Sequence, residues 1–188
     1  MDMAVQIALP KTAEEFDRWV MLPENAGRDY EFIAGKVREV VSNSFSSETA
    51  ANILAEILTY AKKHKLGRVT GADGGYWIAG ERYIPDVAFT RFERQPQPSH
   101  DAYNPVPPDL VVEVMSSTDD PLETSTKVVN YLFEDCVVWL VNPFALAVAV
   151  YEPGQPVKRL DIDDTIDGGP LLPGFQLSVC DIFPLPGE

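Results

Sequence analysis

Apolar residues change their spacing several times along this chain, and each change marks an element. Ile53, Leu54, Ile57, Leu58 and Ala61 recur at helical intervals, so one face of a long helix is apolar; Ser46 or Ser47 is placed to cap it and Gly67 to stop it. A shorter helix is expected from Thr12, with Glu15 completing a capping box, through about Trp19 and ending before Pro23. The segment YEFIAGKVREVV (30–41) reads as two strands around Ala34-Gly35, a hairpin in which Gly35 supplies the positive φ angle. Strands at 68–70 and 76–78 flank a glycine-rich turn at 71–75, which lacks the Lys-Ser or Lys-Thr of a phosphate-binding loop. Residues 83–89 predict one further strand, and 94–108, rich in proline and polar side chains, a loop.

The second half is more apolar. Residues 109–115, DLVVEVM, are dense enough in β-branched side chains for a central strand buried on both faces. Asp119 or Asp120 before Pro121 opens a helix to about Glu134, with Val128/Leu132 and Val129/Phe133 as its core pairs. Strands follow at 137–141 and 145–151 around the Asn142-Pro143 turn, then short edge strands and a packed tail. This order predicts an α/β domain on a mixed sheet.

Length and charge then limit what such a domain does. A chain of 188 residues with 45% hydrophobic and 23% charged residues suits one globular domain, 1–188. Fifteen Lys+Arg against 29 Asp+Glu leave a net charge of −14, whose field repels nucleic acid and anionic membrane unless it is overcome locally. The best local candidate for doing so, the basic cluster Lys62-Lys63-His64-Lys65 with Arg68, has two readings: cations opposing a helix dipole, or a patch facing phosphate. Cys136 and Cys180 lie far apart and form no CxxC motif, which fits a reducing compartment. Met1 to Val5 carry an acid where a secretion signal carries Lys or Arg, and the most apolar stretch, 136–151, is too short and too interrupted to span a membrane. A soluble, cytoplasmic protein is expected.

Candidate chemistry begins with Glu113, an acid inside an apolar strand. A carboxylate there without a partner costs several kcal/mol or loses its charge. Asp86, in IPDVAF, poses the same problem on a strand free to pair beside it. Two acids at one level of neighbouring strands repel each other and raise one pKa, and a divalent ion between them resolves the conflict. Carboxylate oxygens favour Mg²⁺ or Mn²⁺, and neither His64 nor His100 resembles a zinc ligand pair. Each residue also has a plain structural reading. Asp86 begins a strand or makes an Asx turn; Glu113 forms a buried ion pair, with Lys127 as one candidate; Lys127 pairs with Glu123 one turn earlier; Glu31 is a partly exposed strand acid.

Taken in order, YEFIAGKVREV, IPDVAF, PPDLVVEVMSSTD, KVVNYL and VVWLVNP resemble the restriction-endonuclease family of Uma type, a branch of the PD-(D/E)XK nuclease superfamily, over about residues 13–183. The resemblance implies a restriction-endonuclease-like mixed β-sheet flanked by helices, Mg²⁺-dependent hydrolysis of phosphodiester bonds in DNA, and a homodimer. By motif it makes Asp86 and Glu113 the metal ligands and Glu31 an additional acid. The superfamily's lysine belongs at position 115, where this chain has Met115; the resemblance moves it to the next helix, at Lys127, with Tyr131 one turn on either assisting or packing. Asp135-Cys136 and Asn142 are further departures, and they concern the scaffold.

Two other functions stay open at this stage. The charge of −14 suits a nuclease fold repurposed as a dimeric interaction module. A carboxylate-pair glycosidase ranks last, since only Tyr30 and Trp139 offer aromatic surface near the acids.

Overall fold

A computed structural model describes residues 9–184; the segment considered as a secretion signal, Met1 to Val5, lies outside them. The Thr12 hydroxyl accepts from the Glu15 N–H at 3.2 Å and opens α1 (Ala13–Val20), as the capping pattern requires. A 3-10 turn (Pro23–Asn25) leads to the hairpin β1 (Tyr30–Ile33) and β2 (Lys36–Glu39). Ala34 and Gly35 close it at φ 49° and 74°, the pair of positive angles that a two-residue hairpin turn needs.

The long helix, α2 (Ser44–His64), has different ends from those expected. Asn43, and not Ser46 or Ser47, is the cap: its Oδ1 accepts from the Ser46 N–H at 3.0 Å, and asparagine caps as well as serine does. Lys65 takes the left-handed turn at φ 54°, so Gly67 is not the stop signal but the first residue of β3 (Gly67–Thr70). Glycine is needed there for another reason, because a Cβ would run into the Thr90 carbonyl and the Phe89 ring of the neighbouring strand.

Strands β4 (Gly75–Ile78), β5 (Glu81–Tyr83), β6 (Val87–Arg91), β7 (Tyr103–Asn104) and β8 (Leu110–Val114) precede α3 (Pro121–Phe133). After it come β9 (Val137–Asn142), β10 (Ala147–Tyr151), β11 (Lys158–Leu160), β12 (Thr165–Asp167), β13 (Gln176–Ser178) and the short α4 (Val179–Ile182). A mixed sheet of six strands, ordered β11-β10-β9-β8-β6-β3, forms the centre, and a second sheet of five, β2-β1-β5-β4-β7, packs against it. Only β8 and β9 run parallel in the central sheet, because α3 provides the crossover between them. The expected loop at 94–108 contributes β7, which pairs parallel with β4.

The strand predicted at 83–89 is two strands, one in each sheet. Pro85 has no N–H to give a ladder, and the Ile84 N–H is turned to the Glu31 carboxylate at 2.7 Å instead. The chain therefore leaves one sheet at Tyr83 and enters the other at Val87, with Asp86 at the crossing.

Alternation in β8 divides the core. Leu110, Val112 and Val114 pack with Ile53, Ile57 and Ala61 of α2, whereas Val111 packs with Val128 and Tyr131 of α3 and with Ile78 and Tyr83 of the second sheet. The tail covers the α2 side through Ile166, Leu172 and Phe175. One predicted core pair is wrong: Val129 and Phe133 are 63% and 79% exposed, and Tyr131, fully buried, takes the inward position. No helix among the described residues is long and apolar enough to cross a membrane.

Among the described residues Arg82, 3% exposed, is the one buried arginine, and no local sequence pattern marks it. It donates to both Asp17 oxygens at 2.8 and 2.6 Å and lies 4.0 Å from the Trp77 ring centre, fastening α1 to the second sheet. Removing one partner of such a pair leaves a desolvated charge, so Asp17→Asn should lower unfolding free energy by about 2 kcal/mol in urea titrations, a figure reduced because Asp17 keeps some exposure. Arg28→Gln, which breaks the exposed 3.9 Å contact to Glu39, should stay within about 0.5 kcal/mol of wild type. Equal effects of the two substitutions would contradict this assignment.

Candidate active site

Where the two sheets meet, two strands, the crossing between the sheets and one helix each contribute a charged side chain. β6 and β8 pair with Val87 opposite Val112, and one step further along that register sets Asp86 opposite Glu113. Glu113 points away from α2, on the face that Val111 shares with α3 and the second sheet. Glu31 comes from β1, and Lys127 from the inward side of α3, two turns after the Asp120 cap.

Lys127 is the centre of the cluster. Its Nζ lies 2.9 Å from Glu31 Oε1 and 2.8 Å from both Glu113 oxygens. Each acid is also fixed by a second donor: the Ile84 N–H for Glu31, and the Tyr131 hydroxyl, at 2.6 Å, for Glu113 Oε1. Asp86 Oδ2 accepts from the Val114 N–H at 2.7 Å, and its other oxygen carries no hydrogen bond among the described residues. Lys127 Nζ also stands 5.6 Å from the centre of the Tyr83 ring, and Asn130 Nδ2 donates to the Tyr83 hydroxyl at 2.6 Å.

These contacts settle which local readings hold. Lys127 does not pair with Glu123, its neighbour one turn back; Glu123 instead accepts from Arg38 of β2, with Arg38 Nε 2.9 Å from both its oxygens. Glu31 is not a partly exposed strand acid but is 7% exposed. Tyr131 both packs and hydrogen-bonds. The Arg38 contact was not read from the sequence, although the signal was there: a hairpin closed by Ala34-Gly35 pairs residue 31 with residue 38.

Burial sets the protonation of the group. Desolvation pushes Glu113 up to about 7 against the pull of Lys127, with Glu31 and Asp86 pushing it the same way. Lys127 moves up as well, since the attraction of Glu113 and Glu31 outweighs its own burial. Two anions facing one ammonium at 2.8–2.9 Å are the geometry of an ion pair, so Lys127 stays charged and Glu113 ionises near neutrality. Asp86 is raised by burial, opposed by the Val114 N–H and by Lys127.

The four side chains line a cleft of about 570 Å³. Its wall is strongly acidic, with Glu39, Asp119, Asp120 and Glu123 near its mouth and Arg38 and Lys127 as the lining cations. Among the described residues no three His, Cys, Asp or Glu side chains gather to enclose an ion. The donor set nevertheless fits Mg²⁺ or Mn²⁺: such ions are held by one or two carboxylates and keep several waters, and Asp86 and Glu113 present hard oxygens side by side at the cleft.

No curated protein matches this chain. The crystal structure of a putative nuclease belonging to DUF820 from Anabaena variabilis ATCC 29413 matches it with a TM-score of 0.80 at 21% identity, over 93% of this chain and 98% of that one. The two share their fold, mixed sheets flanked by helices. Residues 13–180 match the model of the Uma2 family, described as "Putative restriction endonuclease", and the chain belongs to that family.

Proposed function

We propose that this protein is a cytoplasmic, metal-dependent nuclease that hydrolyses phosphodiester bonds of DNA, with Asp86, Glu113, Lys127 and Glu31 as its working groups. The observation that carries this reading is the Lys127 ammonium held between Glu31 and Glu113, beside Asp86, at an open cleft. Asp86 and Glu113 would hold Mg²⁺ or Mn²⁺, which when bound polarises the phosphate and lowers the pKa of a water. Lys127 keeps its protons at Nζ and turns a donor towards the charge that develops on the phosphate oxygens. Glu31 aims that ammonium, and is itself aimed by the Ile84 N–H. Tyr131 fixes the rotation of the Glu113 carboxylate, so the ligand needs little rearrangement.

One observation favours the alternative, a repurposed fold acting as a dimeric interaction module: Lys127 is engaged as an ion pair by both Glu31 and Glu113. For either reading a homodimer has a surface available, since Leu122, Val129 and Phe133 lie exposed on α3.

Supercoiled, linear and single-stranded DNA and RNA, incubated with Mg²⁺ or Mn²⁺, separate the two readings. Cleavage should vanish with EDTA and fall by about 10²–10³-fold in Asp86→Ala, Glu113→Ala and Lys127→Ala. Undiminished cleavage in all three variants rejects the site, and wild-type inactivity on every substrate favours the module.

The metal-free protein carries a pH signature of the same cluster. Between about pH 4.5 and about pH 7 folded Glu113 keeps a proton that the unfolded chain has released. Its contribution to stability is therefore full at the acid end and lost as pH rises through about 7. Wild type should lose stability relative to Glu113→Gln over that range in urea titrations, and a flat or opposite trend contradicts the burial assigned to Glu113.

A further inference from the structure

A polyanion entering this cleft meets an acidic wall, and of the cations that line it Lys127 is already held by two carboxylates. Arg38 is the other. Register places it directly opposite Glu31 across the β1–β2 hairpin, so both side chains stand on the same face of the sheet. On the facing helix Glu123 lies one turn before Lys127. Two ion pairs therefore bridge hairpin and helix with opposite polarity: Glu31 to Lys127 within, and Arg38 to Glu123 at the mouth.

Their burial differs. Lys127 and Glu31 side chains are 12% and 10% exposed; in the outer pair Glu123 is 16% exposed but Arg38 is 45% exposed. An ion pair with one partner this open to water contributes about 0–1 kcal/mol, so exchanging it is inexpensive. A guanidinium engages phosphate oxygens through the same two-pronged geometry that it uses for the Glu123 carboxylate.

We propose that Arg38 is the substrate-phosphate contact of this site, parked on Glu123 until a nucleic-acid backbone displaces that carboxylate. The inference rests on the nuclease reading and adds how a chain of charge −14 admits a polyanion. Glu123 is then a positioning residue that competes with substrate for Arg38.

Binding of fluorescent single-stranded and duplex oligonucleotides tests this, in full-length protein carrying Asp86→Asn so that nothing is cleaved, across a range of salt concentrations. Arg38→Gln should weaken binding roughly tenfold and reduce the slope of log affinity against log salt by about 0.9 for duplex or about 0.7 for single strands. Glu123→Gln should tighten binding up to about fivefold. In the Arg38→Gln background Glu123→Gln should have no effect, which separates release of Arg38 from the general loss of one negative charge. Arg38→Lys should restore the salt slope.

Thermal unfolding of the same variants supplies the structural readout. If Arg38→Gln and Glu123→Gln lower the melting temperature alike and leave affinity and salt slope unchanged, the pair is only a strut and the inference is overturned while the nuclease reading stands. If the effects of the two substitutions simply add, Glu123 acts as bulk charge and the competition is overturned. If the protein without Arg38→Gln binds no oligonucleotide at any salt concentration, the nuclease reading itself fails and the inference falls with it.

Discussion

One ammonium group, Lys127 Nζ, joins the hairpin, the central sheet and α3. It is within 2.9 Å of an acid from the hairpin and an acid from the central sheet, while its own backbone belongs to the helix that crosses over that sheet. Two buried carboxylates facing each other without it would repel, and at least one would take up a proton. The site thus depends on a cation delivered by tertiary structure. With Lys127 in place, Glu31 and Glu113 can stay close together, and Asp86 opens to the cleft beside them.

The backbone that makes this possible is the crossing at Ile84-Pro85-Asp86. A continuous strand from 83 to 89 would have kept both sheets in one layer and used the Ile84 N–H in a ladder. Proline forbids the regular ladder there, Glu31 collects the displaced N–H, and the strand resumes in the central sheet with Asp86 level with Glu113. The same small segment therefore divides the fold into two sheets, anchors one acid of the site and places another.

Much of this was legible in the sequence. Period-2 and helical patterns located the hairpin, α2, α3 and the β8–β9 pair, and an acid inside DLVVEVM announced that a partner must exist. The buried pair of Glu113 with Lys127 was one of two readings open for that lysine, beside Glu123 at one helical turn; what pattern could not supply was that Lys127 and Glu123 reach across the cleft to opposite partners on β1 and β2. Helix faces failed for a related reason. Val129 and Phe133 are apolar but exposed, and Tyr131 is buried because its hydroxyl finds Glu113, a contact that hydrophobicity does not reveal. Cap identity was misjudged where several nearby polar residues could each serve, as Ser42, Asn43, Ser44, Ser46 and Ser47 do around Phe45.

The central claim is that Asp86 and Glu113 act as one ligand pair for a divalent ion, with Lys127 charged beside them. Calorimetric titration of the protein with Mn²⁺ near neutral pH tests this most directly. The account predicts one saturable site per chain that disappears in both Asp86→Asn and Glu113→Gln. Undiminished Mn²⁺ binding in either variant, or no binding by wild type, would contradict it.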